Sequence, residues 1–423
     1  MEMVTVHLGL LILYQNLKGD FMKYEIIHYI VEYFKDIFNE SINLKIEDNY
    51  YVLNNTLRYK IYEFWTKKDS ELFLDFNDYS FKGDYIGTIF FFLSGYWEYN
   101  HDDTKDDHGR FLASESFSYK KGILEEPIVE ILTEKIKNEL NLTYKNENSR
   151  VFITHDIDLL GFARGKKFIR NILGDILKRK QFKLAFDKII RKISRRDPVT
   201  VYNLLNIHKK YGSKGTFFFM PDIQPNFYGG CGYKPIKDKR YLIDLEKEIL
   251  STGSRVGIHY DARHLKDDRM KEDIGILNNV FESDISCGRA HYLLFDIKKS
   301  FDIYERSGIK LDSTCSYADS IGFRFGTCKP FRPYNFKEKR LYDFYEYPLI
   351  IMEGTLMDTR YMGLSPEKGF EKIKELIDKI DNYNGVFTFL WHNTSFYIPE
   401  WKDWEWVYED TIKYVKNKGF EFI

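Results

Sequence analysis

Two carboxylates stand one residue apart in the segment VFITHDID, at Asp156 and Asp158. Two imidazoles stand in RVGIHYDARH, at His259 and His264, and a third follows VFTFLW at His392. Two His and one carboxylate are a ligand set for Zn2+ or a similar divalent ion, and three protein ligands leave a position open for water or substrate. A bound ion brings the pKa of its water towards ~7 and polarises a carbonyl. A second carboxylate beside the ligands can take that water's proton, and a further His can hand one to a leaving group. The chemistry predicted is metal-assisted hydrolysis. The competing reading makes Asp156 and Asp158 helix caps and the imidazoles structural, and His155 and His208 fit it better than the others do.

Each of these residues follows an apolar run that reads as a strand. The runs are Val151–Thr154, Gly215–Met220, Arg255–Ile258, Val386–Leu390 and Phe420–Ile423, with weaker ones at Lys310–Leu311 and Phe344–Leu349. Helical patterns alternate with them, which predicts parallel strands in βα units. The fold class expected is α/β, a distorted (β/α)-type barrel over residues 149–423. In such barrels reactive residues gather at the C-terminal ends of strands. Residues 1–148 read as a small α+β domain. It has a strand in Val4–Leu17, a helix over Lys23–Phe38, a buried apolar run at Tyr85–Tyr96, a charged loop at His101–Arg110 and a helix over Pro127–Leu142. The polar stretch Lys145–Arg150 reads as a linker.

The chain has 423 residues, 43% apolar and 30% charged, which excludes global disorder. No run of ~18 apolar residues would span a membrane. Total net charge is −1, which argues against a nucleic-acid binder. The charge is uneven, however. Residues 164–196 hold 13 Lys/Arg against Asp175 and Asp187, a net of +11 that leaves −12 on the rest. Apolar residues recur there at helical spacing, so the segment reads either as a helix with a solvated basic face or as a peripheral contact with an anionic membrane or other polyanion. The four Cys form no CxxC, so neither a disulfide framework nor a zinc ribbon is expected. Nothing reads as a cleavable leader, and the expected location is cytoplasmic, with membrane association on the cytoplasmic face. Aromatic residues reach 17%, which suits stacking on sugars or reflects codon bias.

From Val151 onward the chain resembles NodB-type polysaccharide deacetylases, carbohydrate esterase family four, and five ordered segments carry the resemblance. THDID at Thr154–Asp158 resembles T-F-D-D, and GIHYDARH at Gly257–His264 resembles H-[ST]-x-x-H. GRAHY at Gly288–Tyr292 resembles R-x-P-[YW]. LDSTCSYADSIGFRFGT at Leu311–Thr327 resembles the Asp-containing fourth motif, and FTFLWHN at Phe387–Asn393 resembles L-x-H. GTFFFM at Gly215–Met220 resembles the family's A-T-F-F strand. A bacterial subgroup with THDxD and an extra N-terminal module is the nearer match, and Phe90–Ser116 resembles that module's characteristic stretch.

The resemblance implies a metal-dependent deacetylase acting on an N-acetylated glycan or lipid-linked sugar. Asp158, His259 and His264 would hold the metal, most readily Zn2+, with Ni2+ or Co2+ as alternatives. Asp156 would be the general base, Arg289 would orient it, His392 would be the general acid, and Asp312 or Asp319 would tune His392. Tyr260, His291, Tyr292, Tyr317, Trp391 and Asn393 are expected to face the substrate. The alternatives are an O-acetyl esterase, another C–N hydrolase, or a non-catalytic carbohydrate- or membrane-binding protein.

Two departures from the family pattern bear on the site. His259 and His264 are five apart instead of four, about 140° round a helix, so both reach one ion only from a loop or across a strand-to-helix break. Asp261 is a substitute oxygen ligand. THDID separates its carboxylates by one residue, and strand alternation would point both the same way. The loop containing DHGRF, Asp107–Phe111, would either reach over the barrel mouth or pack between domains.

Overall fold

The computed structural model describes residues 21–160, 166–193, 201–222, 233–261, 263–267, 269–396, 401 and 403–423. The strand expected in Val4–Leu17 and most of the glycine-rich loop at 228–233 lie outside them.

The N-terminal region begins with a helix over residues 21–37, where Ile26, Ile30, Tyr33 and Phe34 are buried on one face. A three-stranded antiparallel sheet follows: β1 (Leu44–Glu47), β2 (Tyr50–Leu53) and β3 (Leu57–Lys60). Helices at Tyr85–Leu93 and Ile128–Leu140 complete it. The first is apolar all round, and all but Tyr85 are buried, as an enclosed helix must be.

The rest of the chain forms the parallel barrel. Its strands are β4 (Arg150–Ile157), β5 (Gly215–Phe219), β6 (Arg255–Tyr260), β7 (Cys287–Ala290) and β8 (Leu311–Asp312). A small hairpin, β9 (Tyr334–Asn335) with β10 (Arg340–Leu341), interrupts them. Then come β11 (Tyr345–Glu346), β12 (Ile351–Met352), β13 (Val386–Leu390) and β14 (Glu421–Phe422). The order β11-β8-β7-β6-β5-β4-β13-β12 is sequential and parallel throughout, and β14 adds to the start of β4. The two edges, β11 and β12, are joined by residues 347–350. There Leu349 donates to the Cys315 carbonyl and Ile350 to the Thr388 carbonyl, so this short link bridges the two ends of the curled sheet. Seven of eight residues in β4 and all of β5 are buried, as strands covered on both faces require.

Among the described residues no helix follows β8 or β11, and the N-terminal region covers that gap. Val129 N–H bonds the Gly326 carbonyl, and buried Glu130 accepts from Thr327 Oγ1 at 2.5 Å and Cys328 N–H at 3.1 Å. Gly322 has φ +127°, and a Cβ there would stand 2.5 Å from the Leu124 carbonyl, so only glycine lets the two backbones approach. Across the same seam Arg324 makes a bidentate pair with buried Glu98. One apolar core runs through both regions. Much of the aromatic surplus sits there: Phe64, Phe81, Phe91 and Phe117 form a chain of edge-to-face contacts. No described helix is long and apolar enough to cross a membrane.

Candidate active site

The reactive side chains meet at the C-terminal rim. Asp156 and Asp158 come from the end of β4, His259 from β6 and Arg289 from β7. His291 follows β7, Glu353 follows β12 and His392 follows β13. Both carboxylates face the same imidazole: His259 Nε2 is 3.6 Å from Asp156 Oδ2 and 3.4 Å from Asp158 Oδ1. The strand alternation expected of THDID is therefore what the barrel uses.

His259 Nδ1 donates to the Arg289 carbonyl at 2.9 Å, so a neutral ring carries its lone pair on Nε2, aimed into the site. His291 Nε2 stands 3.9 Å from the same Asp158 oxygen. Asp158, His259 and His291 offer ligand atoms within 4.8 Å of one another. Neither Asp158 Oδ1 nor His259 Nε2 has a hydrogen-bond partner, although both are buried atoms. Ligands ~2.0–2.1 Å from a tetrahedral ion lie ~3.3 Å apart. The donor set and its spacing thus fit one divalent ion. Burial would raise the Asp158 carboxyl, but the imidazoles of His259, His291 and His392 around it outweigh that and hold Asp158 well below the usual range. Burial holds His291 down at about 3, which keeps its ring neutral and able to ligate.

Arg289 is fully buried. Its Nη1 donates to Thr154 Oγ1 at 2.6 Å and Asp156 Oδ1 at 3.3 Å, and its Nε and Nη2 donate to the Ser313 carbonyl and Oγ at 2.6 and 2.7 Å. One guanidinium thereby ties β4 and β7 to the segment after β8 and holds the Asp156 carboxylate in place.

On the opposite wall His392 Nε2 lies 3.8 Å from Asp158 Oδ2, while its Nδ1 donates to Glu353 Oε1 at 2.7 Å. Burial would lower His392, but the Glu353 carboxylate and its hydrogen bond, with Asp158 and Asp156, raise it to about 10. At that value the imidazole stays charged at neutral pH. Glu353 was missed in the sequence because it sits at the end of a two-residue strand with no motif around it.

Other expected residues lie elsewhere. His264 is buried with Nδ1 on the Asp261 carbonyl, its ring beside Tyr260 and Tyr304, outside the group that Asp158 and His259 form. The five-residue spacing carries it past the end of β6 and into a new helix, and His291 stands in the place expected of it. The Asp261 carboxylate is taken up by Arg263. Asp312 caps its own turn, accepting from Thr314 N–H and Oγ1, and Asp319 accepts from Ala113 N–H, so neither holds His392. Tyr260, Tyr317 and Trp391 are core residues: Tyr260 packs on Tyr304, Tyr317 lies under Arg324, and Trp391 packs on Tyr408. Their large apolar surfaces fill the barrel wall instead of facing a sugar. Asn393 donates to the Leu159 carbonyl and so holds the loop after Asp158.

Tyr292 is at the rim, tilted against His291 and stacked on His108 of the N-terminal loop. Arg110 Nη1 also donates to the Tyr292 carbonyl at 3.1 Å. The DHGRF loop therefore reaches the barrel mouth. It clamps a turn in which Tyr292 and Leu293 both have positive φ, an uncommon state for side chains of that size.

Residues 4–145 match the model of a family of unknown function (DUF7033). No curated protein matches the sequence. Among solved structures, a Mycobacterium smegmatis chain proposed to be a polysaccharide deacetylase matches at 14% identity and TM-score 0.42, covering 66% of this chain and 87% of its own. The PuuE allantoinase matches at 12% and 0.41, covering 66% and 87%. A family 4 carbohydrate esterase from Streptomyces lividans matches at 9% and 0.32, covering 65% and 92%.

Proposed function

We propose that this chain is a metal-dependent hydrolase that removes the acetyl group from an N-acetylated sugar of a glycan. The observation that carries the reading is the convergence at one rim of three unlike parts. These are a ligand group (Asp158, His259, His291), a carboxylate fixed by Arg289 (Asp156), and a charged imidazole fixed by Glu353 (His392). The five ordered motifs that resemble NodB-type deacetylases supply the substrate class.

A divalent ion held by Asp158, His259 and His291 would supply Lewis acidity for a water and for the acetyl carbonyl. Asp156, 3.6 Å from His259 Nε2, accepts the proton of the attacking water. Arg289 keeps that carboxylate pointed at the site. His392 Nε2 delivers a proton to the departing sugar nitrogen, so that acetate and a free amine leave.

The test is acetate release from chito-oligosaccharides and from O-acetylated sugars, using protein loaded in turn with Zn2+, Ni2+ and Co2+. The reading expects release from the amides, abolished in Asp156→Asn. Release from esters alone moves the assignment to an esterase. No release from either, with metal bound stoichiometrically, overturns it.

A further inference from the structure

We propose that the helical pair at residues 166–193 is a docking surface for an anionic lipid bilayer. The first helix runs over Lys166–Leu173 and continues as a wider turn through Gly174–Lys178, and the second is Phe182–Ile193. Asp175, fully buried, binds them together: it takes Arg179 from its own helix and Lys188 Nζ at 2.7 Å from the other. Ile172 and Ala185 are buried with it. The inward face of the pair is thus already occupied.

The outward face is apolar. Ile169, Leu173 and Leu177 repeat every fourth residue on the first helix, and Phe182, Phe186 and Ile190 do so on the second. That spacing makes a stripe on each helix. In a soluble helix the stripe faces the core, but here it faces solvent: Leu177 is 71% exposed, Phe182 65% and Phe186 63%. Seven of the sixteen exposed large apolar side chains among the described residues belong to this pair.

Charge selects the occupant. Exposed Arg170, Lys178, Lys180 and Lys183 stand beside the stripes. A second copy meeting this face would bring those cations against their own duplicates. A bilayer carrying anionic headgroups satisfies both features at once, taking the apolar stripes to acyl depth and the cations at the headgroups. Lys166 is eight residues after Asp158, a reach of at most ~28 Å, so a docked pair brings the barrel mouth close to the membrane plane. The surface is separate from the hydrolytic site, and its test reads binding without turnover.

The experiment is flotation of the full chain with vesicles of phosphatidylcholine alone or phosphatidylcholine with phosphatidylglycerol. Flotation only with the anionic vesicles, weakened by salt, is expected. Leu177→Glu with Phe182→Glu should abolish it. Lys178→Glu with Lys180→Glu should weaken it at least tenfold. Both pairs are exposed, and unchanged circular dichroism confirms that each variant folds. Absence of flotation with anionic vesicles overturns the proposal, as does undiminished flotation of Leu177→Glu/Phe182→Glu. A stable dimer that the same variant disperses also overturns it and assigns the face to a second copy.

Discussion

Glu353 Oε1 accepts two hydrogen bonds from one residue, the backbone N–H of His392 at 2.5 Å and its Nδ1–H at 2.7 Å. Ser395 Oγ donates to the same oxygen at 2.8 Å. Glu353 is wholly buried, so its charge acts on the imidazole with little screening. The pair leaves Nε2 as the exchanging nitrogen and turns it to the side where Asp158 lies. A carboxylate behind an imidazole is a recurring device for fixing its orientation and stabilising its cation.

Glu353→Gln keeps the shape and removes the charge. Deacetylation should fall about 10²-fold. The loss should appear in kcat and leave KM nearly unchanged, because Glu353 acts through His392 and does not touch substrate. Steady-state kinetics on chito-oligosaccharides decides it. A change confined to KM would show that Glu353 serves binding instead.

Metal content separates His291 from His264. Asp158→Asn, His259→Gln and His291→Gln should each weaken Zn2+ binding at least about tenfold, read by elemental analysis after equilibrium dialysis. His264→Gln should leave stoichiometry unchanged, since its ring lies between Tyr260 and Tyr304. Loss of metal in His264→Gln with retention in His291→Gln would restore the ligand set implied by the motif resemblance.

The contrast between those two imidazoles shows where sequence reasoning reached its limit. Strands β4, β6 and β13 were legible because long apolar runs announce them, and so Asp156, Asp158, His259 and His392 were placed on one rim correctly. The helices at 21–37 and Ile128–Leu140 followed from their apolar period. Strands of two residues carry no periodic signal, which hid Glu353 after β12. The motif resemblance put His264 among the ligands despite its five-residue spacing, but the chain breaks from strand to helix between 260 and 264, and local geometry overrides the pattern. Tyr317 and Trp391 sit within motif segments, yet a motif records sequence neighbours and not the face a side chain takes. That Phe182 and Phe186 are exposed was likewise invisible, since an apolar stripe looks the same whether it is covered or bare.

The N-terminal loop should matter to the site it touches. Arg110 is buried, paired with Asp106, and donates to the Tyr292 carbonyl and the Tyr361 hydroxyl. Arg110→Ala leaves Asp106 Oδ2 and that carbonyl without their side-chain donor, a cost of about 1–3 kcal/mol. It also releases the turn that carries His291. Lower stability in urea unfolding together with weaker Zn2+ binding is expected. Lower stability with unchanged metal affinity would confine the loop to packing.

Acid should destabilise the barrel through a second pair of imidazoles away from the reacting centre. His208 Nε2 is 3.0 Å from His155 Nε2, with Ser213 Oγ on its Nδ1 and the Tyr408 hydroxyl 3.4 Å from its Nε2. His155 Nδ1 donates to the Trp391 carbonyl, so His208 supplies the proton between the two rings. No carboxylate faces them in these contacts, and burial lowers His208 to about 4. The unfolded chain takes up a proton near pH 6.5, where the folded chain does not. Stability is therefore full above that value and falls as pH drops towards 4, by up to about 3 kcal/mol for this group. Urea unfolding at pH 7 and pH 5 should show the loss, and His208→Gln should flatten the dependence while lowering stability at pH 7. Equal stability of the unaltered chain at both values would mean that the pair is protonated in the folded state.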